Sequence, residues 1–198
     1  MPLSQPVRLG LIGAGRWGTV YLRALNSLAD RCRVTHLCTS DAANAVLVPH
    51  PVEVMADWRR LVQDGCDAVI IATPPHTHAE IVEACVNARI PCLVEKPFCL
   101  DVPTAERLHR LVQASDVPVL VGHTQLFHPA YQRLRQALRE PGESVRVVVS
   151  EGMSFGPFRA EVPALWDWCP HDVSLCLDLM GCSPSRLQAL GGPTDPRG

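Results

Sequence analysis

The sequence predicts an α/β fold: a doubly wound parallel sheet over residues 1–121, followed by a partial α+β domain over residues 122–198. Three observations predict it. A short apolar run, Val7 to Ile12, empties into glycines spaced G-x-G-x-x-G at Gly13, Gly15 and Gly18. From there to Val121, short β-prone runs alternate with helix-like segments at the spacing that builds parallel strands joined by crossover helices. Beyond Gly122 the alternation ceases, and a helix-like stretch, a lone β-prone run and a Gly/Pro-rich tail take its place.

Val7–Ile12 forms the first strand. Gly13 lets the chain turn tightly off it, Gly15 lacks the Cβ that would keep a pyrophosphate from the backbone, and Gly18 lets the next helix pack close. That helix is predicted over Arg16–Ala29, with Val20, Leu22, Leu25 and Leu28 as its apolar stripe, and its N-terminal amides and dipole suit an anion. Arg16 and Trp17, inside the motif, join the three glycines as candidate cofactor contacts. Arg33–Cys38 is predicted as the second strand, and its end selects the cofactor. An acid about 20 positions beyond the glycines accepts from the adenosine ribose 2′-hydroxyl, whereas a 2′-phosphate wants hydroxyls and a basic neighbour. Here the strand runs into Thr39, Ser40 and Asp41. Asp41 favours NAD, Thr39 and Ser40 leave room for NADP, and no adjacent basic residue decides between them.

Pro49 and Pro51 break the next stretch, leaving Val52–Val54 as a short third strand. Asp57–Gln63 then reads as a helix, Asp67–Ala72 as a fully buried strand, Thr77–Ala88 as a helix and Pro91–Val94 as a strand. Pro103–Ala114 is a further helix with Asp101 as its cap, and Val117–Val121 a further strand. Parallel strands with helices on both faces, opened by this glycine motif, define a Rossmann-type dinucleotide domain. The remainder reads as a helix over Pro129–Arg139, a linker at 140–142, a strand of a different sheet at Val145–Val149, and a helix over Asp172–Met180. A single strand makes no sheet, so the second domain is partial.

Hydrophobic residues are 47%, charged residues 19%, and the formal net charge is −2, without the basic excess that neutralises nucleic-acid phosphates. The N-terminus has neither a charged region nor a long apolar one, and no run approaches membrane-spanning length, so a cytoplasmic protein is expected. Nine cysteines are odd in number and scattered, without a C-x-x-C pair, which suggests reduced, buried thiols.

Three stretches fall where a doubly wound fold places its chemistry, beyond the strands or opening a helix. In Thr73-Pro74-Pro75-His76-Thr77-His78, His76 and His78 lack a third ligand at a sensible spacing, so no metal is expected; Thr73, Pro74 and His78 read as a loop lining the cofactor. In Glu95-Lys96-Pro97, an ammonium directly beyond a buried strand is suited to polarise a carbonyl or steady an alkoxide while hydride moves; the alternative is a solvated loop lysine. In Asp167-Trp168-Cys169-Pro170-His171, Pro170 suits the first position of the last helix. That puts His171 in its first turn, where the dipole keeps an imidazole neutral as a base, with Asp167 placed to orient it. The alternative is a satisfied core histidine beside Asp172. His123 and Gln125 end the last strand and face a substrate in this reading, as does a tryptophan wall at Trp166; His128 and Tyr131 are expected in interdomain packing.

Taken together, the glycine motif, Ala72-Thr-Pro-Pro-His-Thr-His78, Val94-Glu-Lys-Pro97 and Leu165-Trp-Asp-Trp-Cys-Pro-His-Asp172 resemble the glucose-fructose oxidoreductase/inositol dehydrogenase/rhizopine catabolism (Gfo/Idh/MocA) family, from about Val7 to Gly181. The resemblance implies Lys96, Asp167 and His171 as catalytic residues, Glu95 beside the cofactor, and a cis bond at Lys96–Pro97. It implies reversible oxidation of a secondary hydroxyl on a sugar, nucleotide sugar or polyol with NAD or NADP, and a homo-oligomer for a full-length relative. Ser174 departs from the aspartate that many relatives carry there, and relatives continue into an open antiparallel sheet, so a truncated member or fragment is expected. A module that binds a dinucleotide without turnover is the competing reading. An ordinary short-chain dehydrogenase would need Tyr-x-x-x-Lys, which follows neither Tyr21 nor Tyr131.

Overall fold

The structure is a computed structural model that describes residues 5–140, 144–152 and 162–191. It divides into two compact units, residues 1–122 and 123–198.

The first unit is a six-stranded sheet, all parallel, in the order β3-β2-β1-β4-β5-β6. Its strands are β1 (Val7–Ile12), β2 (Cys32–Cys38), β3 (Glu53–Met55), β4 (Ala68–Ile71), β5 (Cys92–Val94) and β6 (Val119–Val121). Its helices are α1 (Arg16–Asn26), α2 (Trp58–Gln63), α3 (His78–Asn87) and α4 (Val102–Ser115). Alternate residues feed two cores, because side chains leave a strand on opposite faces. Ile12, Val69, Ile71 and Val94 pack with Leu61 of α2, Val82 and Cys85 of α3, and Leu108 of α4. Leu9, Leu11, Leu37 and Ile70 pack with Leu22 of α1 on the other face.

Aspartates cap α2 and α4: Asp57 accepts from Arg59 N at 3.0 Å and Asp101 from Thr104 N at 2.8 Å. At the amino ends of β1 and β4, the Asp67 carboxylate accepts from Arg8 N at 2.7 Å and from its guanidinium at 2.9 Å, which holds Asp67 below the usual carboxylate range. All nine cysteines are free; Cys38, Cys66, Cys85, Cys92 and Cys99 are buried, and Cys182 is exposed.

The expected α1 is too long and its stripe misplaced. The helix ends at Asn26, where the backbone N–H of Ser27 returns to Ala24 O, and Val20 and Leu28 are exposed. Gly18 and Leu22 are the buried positions, with Tyr21 and Leu25 partly buried beside them. Residues 42–47 form a 3-10 turn, and the third strand lies one residue beyond its expected place.

The second unit holds α5 (Pro129–Ala137), α6 (Ala164–Asp167) and α7 (Cys169–Met180). Tyr131 binds within this unit, its hydroxyl donating to Asp178 Oδ2 at 2.7 Å and pushed up to about 12 by burial and that carboxylate; Arg135 Nε meets the same oxygen at 2.9 Å. His128 Nδ1 accepts from Ala130 N and caps α5. The strand expected at Val145–Val149 is not formed: the segment carries no ladder among the described residues, and Val147 and Val149 are exposed. Apolar alternation alone makes no strand without a neighbour to accept its backbone bonds. Residues 141–142 of the expected linker and 192–198 of the tail lie outside the described residues. No helix among the described residues is long and apolar enough to cross a membrane.

Candidate functional site

The carboxyl ends of five neighbouring strands, β2, β1, β4, β5 and β6, are brought level by four hydrogen bonds that extend the ladder past the strands. Gly13 N donates to Cys38 O, Ala72 N to Ile12 O, Glu95 N to Ile71 O and Gly122 N to Val94 O, at 2.7–2.9 Å. This is the edge where doubly wound sheets bind ligands, at the point where strand order reverses between β1 and β4.

Gly13 has φ +93°, and a Cβ there would lie 2.6 Å from Ala72 O, so only glycine fits the turn between β1 and β4. A Cβ at Gly18 would run into the Gly13 carbonyl, which is how α1 comes so close to the strand. Nothing stands within 4 Å of a Cβ at Gly15. That open, side-chain-free surface at the start of α1 fits a pyrophosphate resting on backbone amides. Arg16 and Trp17 are exposed in the first turn.

Past β2, Thr39 Oγ1 accepts from Asp41 N at 3.1 Å, and Asp41 Oδ1 accepts from Ala43 N at 3.0 Å as the cap of the 42–47 turn. Ser40 is exposed. Past β4, Thr73 Oγ1 and Thr77 Oγ1 lie 2.6 Å apart, and Pro74 O accepts from the Thr77 hydroxyl.

His78 is fully buried, with Nδ1 2.8 Å from Pro97 O and Nε2 2.8 Å from Thr73 O. Both partners are carbonyls, which only accept, so the neutral ring donates to one of them at a time and the doubly protonated ring to both. The ring therefore ties the Thr73 loop to the Pro97 loop. The Lys96–Pro97 bond is cis.

Glu95 is also buried, and three elements converge on it. Tyr21 of α1 donates its hydroxyl to Oε1 at 2.6 Å, Lys96 N approaches Oε2 at 3.3 Å, and a Cβ on Gly122 would lie 3.2 Å from Oε1. Burial and then the Glu95 carboxylate push the Tyr21 hydroxyl far above its ordinary range. Tyr21 escapes a sequence reading focused on motifs. Its one signal is its place three residues after Gly18, on the helix face turned toward the sheet.

In the second unit Asp167 ends α6 and only Trp168 separates it from α7. The helix begins at Cys169, one residue before the expected start, so Pro170 takes the second position; His171 remains in the first turn, its N–H donating to Trp168 O at 3.0 Å. The Trp168 ring stands edge-on to the His171 ring, centroids 6.3 Å apart, so Trp168 is the tryptophan against the histidine, and Trp166 is a partly buried residue of α6. Ser150 Oγ donates to Asp172 Oδ1 at 2.5 Å. His123 precedes, and Gln125 lies within, the 3-10 turn at Thr124–Phe127. Among the described residues no three His, Cys, Asp or Glu side chains cluster as a metal site would require.

Comparison with known proteins agrees with this architecture. Residues 7–123 match the oxidoreductase family with an NAD-binding Rossmann fold. The chain is 36% identical over 193 residues to a UDP-N-acetylglucosamine 3-dehydrogenase of Acidithiobacillus ferrooxidans, covering 93% of this chain and 58% of the relative. It is 31% identical over 205 residues to an inositol 2-dehydrogenase of Paenarthrobacter aurescens, covering 98% and 61%. A crystal structure described as an oxidoreductase from Magnetospirillum magnetotacticum superposes with TM-score 0.84 at 45% identity, over 91% of this chain and 59% of that one. The chain thus spans about three-fifths of the length of these relatives. With residues 7–123 matching that family and with relatives of this identity over most of its length, the chain belongs to the Gfo/Idh/MocA oxidoreductase family, with its NAD-binding Rossmann fold.

Proposed function

We propose that the chain is the cofactor-binding part, with the first portion of the substrate part, of a dehydrogenase that moves hydride between a nicotinamide dinucleotide and a secondary hydroxyl or ketone of a sugar, nucleotide sugar or polyol. The observation that carries this reading is the edge where Gly13, Ala72, Glu95 and Gly122 come level, with Lys96 two residues beyond β5. The bound dinucleotide supplies the hydride acceptor, nicotinamide C4. The amides around Gly15 hold its pyrophosphate. His171 takes the hydroxyl proton, Lys96 Nζ stabilises the negative charge that develops on that oxygen, and Asp167 supports the pair. His123, Gln125 and Trp166 are proposed substrate contacts, and homo-oligomerisation is proposed for the full-length protein.

The relatives' printed activities, on a nucleotide sugar and on inositol, support this substrate class. A non-catalytic dinucleotide-binding module is the second reading, favoured by the unpaired segment at 145–149.

The test is a fluorescence titration of the purified chain with NADH and NADPH, followed by turnover across a panel of sugars, nucleotide sugars and inositols. Saturable binding with turnover that Lys96→Ala abolishes, while binding survives, is expected. Binding without turnover on any substrate favours the module, and no binding to either dinucleotide overturns both readings.

A further inference from the structure

The end of β2 holds a selection device that family membership does not specify. In a sheet of this order the residue just beyond β2 borders the adenosine ribose. A carboxylate there accepts from the ribose hydroxyls and repels a 2′-phosphate. Cys38 closes β2, and its carbonyl accepts from Gly13 N at 2.8 Å, so the residue that follows is the one beside the glycine loop. That residue is Thr39.

Asp41, the acid that from sequence alone favours NAD, stands two residues further on and is otherwise engaged. Its Oδ1 accepts from Ala43 N at 3.0 Å as the cap of the 42–47 turn, and its backbone N–H and carbonyl both meet the Thr39 hydroxyl, at 3.1 and 3.3 Å. Asn44 fixes the turn against the phosphate loop by donating Nδ2 to Ala14 O at 3.1 Å. Asp41 caps the turn through Oδ1, the Thr39 hydroxyl is engaged by the Asp41 backbone, and Ser40 is the exposed hydroxyl at the ribose end of the site. Arg16, exposed in the first turn of α1, is the basic side chain of that phosphate loop.

We infer that this chain takes a 2′-phosphorylated dinucleotide, NADP or NADPH, with Thr39 and Ser40 as the residues that decide it and Asp41 as a structural cap. The inference rests on the dinucleotide-binding reading above. Thr39 puts no carboxylate just beyond β2, the exposed Ser40 offers a hydroxyl there, and the exposed Arg16 contributes favourable charge.

The full chain is titrated with NADPH and with NADH, by their own fluorescence, as wild type, Asp41→Asn and Thr39→Asp, with the unfolding temperature of each recorded. Wild type is expected to bind NADPH at least as tightly as NADH. Asparagine caps a turn as well as aspartate does, so Asp41→Asn removes the charge and keeps the fold. It is expected to change the NADH/NADPH affinity ratio by less than about threefold. Thr39→Asp is expected to weaken NADPH by at least about tenfold relative to NADH, by placing a carboxylate against the 2′-phosphate. Tighter binding of NADH by the wild type overturns the inference, as does a larger swing toward NADPH in Asp41→Asn, which would make Asp41 the ribose ligand after all. Failure to bind either dinucleotide overturns the underlying reading; tight NADH with excluded NADPH overturns this one alone.

Discussion

Glu95 shows how one buried side chain organises its neighbours. A carboxylate removed from water must be met by donors, and the Tyr21 hydroxyl at 2.6 Å is the strong one. Tyr21→Phe removes that donor without changing the shape of the ring, so the domain should lose about 1–3 kcal/mol, read from the midpoint of urea unfolding. An unchanged midpoint would mean that Glu95 is served by solvent. His78 plays a similar part by holding two carbonyls, a role that its sequence neighbours do not announce. The proposed catalytic residues Lys96, Asp167 and His171 were legible as candidates, because short motifs carry them. The Tyr21–Glu95 and His78–Pro97 contacts were not, because each joins positions 74 and 19 residues apart and leaves no local signature.

At the scale of elements, the glycine motif separates packing from binding. Gly18 is where α1 touches the turn of β1, and Gly15 faces open space. Gly18→Ala is expected to destabilise the domain by about 1–3 kcal/mol or more, since the neighbour it meets is backbone and cannot swing away. Gly15→Ala is expected to leave the unfolding temperature within about 2 °C and to abolish dinucleotide binding. Calorimetry and the NADPH titration together check the pair; equal losses of stability would show that both glycines serve the fold. The central strands and the capped starts of α2 and α4 were legible because apolar runs and aspartate caps are local signals. The ends of α1 were not: Leu28 extends the apolar periodicity, yet the chain turns back at Ser27 to enter β2.

For the molecule as a whole, the first unit was readable almost strand by strand, because every parallel crossover but the one from β2 to β3 repeats the same apolar-strand, amphipathic-helix grammar. The second unit was readable only as helices. Val145–Val149 has the composition of a strand, but strands form in pairs, and no partner strand pairs with it among the described residues.

The distribution of cysteines gives the protein an internal probe of its own opening. Cys182 is exposed, while Cys38, Cys66 and Cys99 are buried and pushed by that burial above the ordinary thiol range, and Cys85 is raised by its hydrogen bond with Cys92 and by burial. An alkylating reagent reacts with thiolate, so Cys182 should be modified at once and the buried thiols only as the sheet opens. Peptide mapping of iodoacetamide-treated protein would check that order. Because the core thiols are spread over β2, α3, β5 and the connections that enter β4 and α4, their separate labelling rates would report which parts of the domain open together. A dinucleotide that binds only the closed sheet should slow them all in proportion to its occupancy.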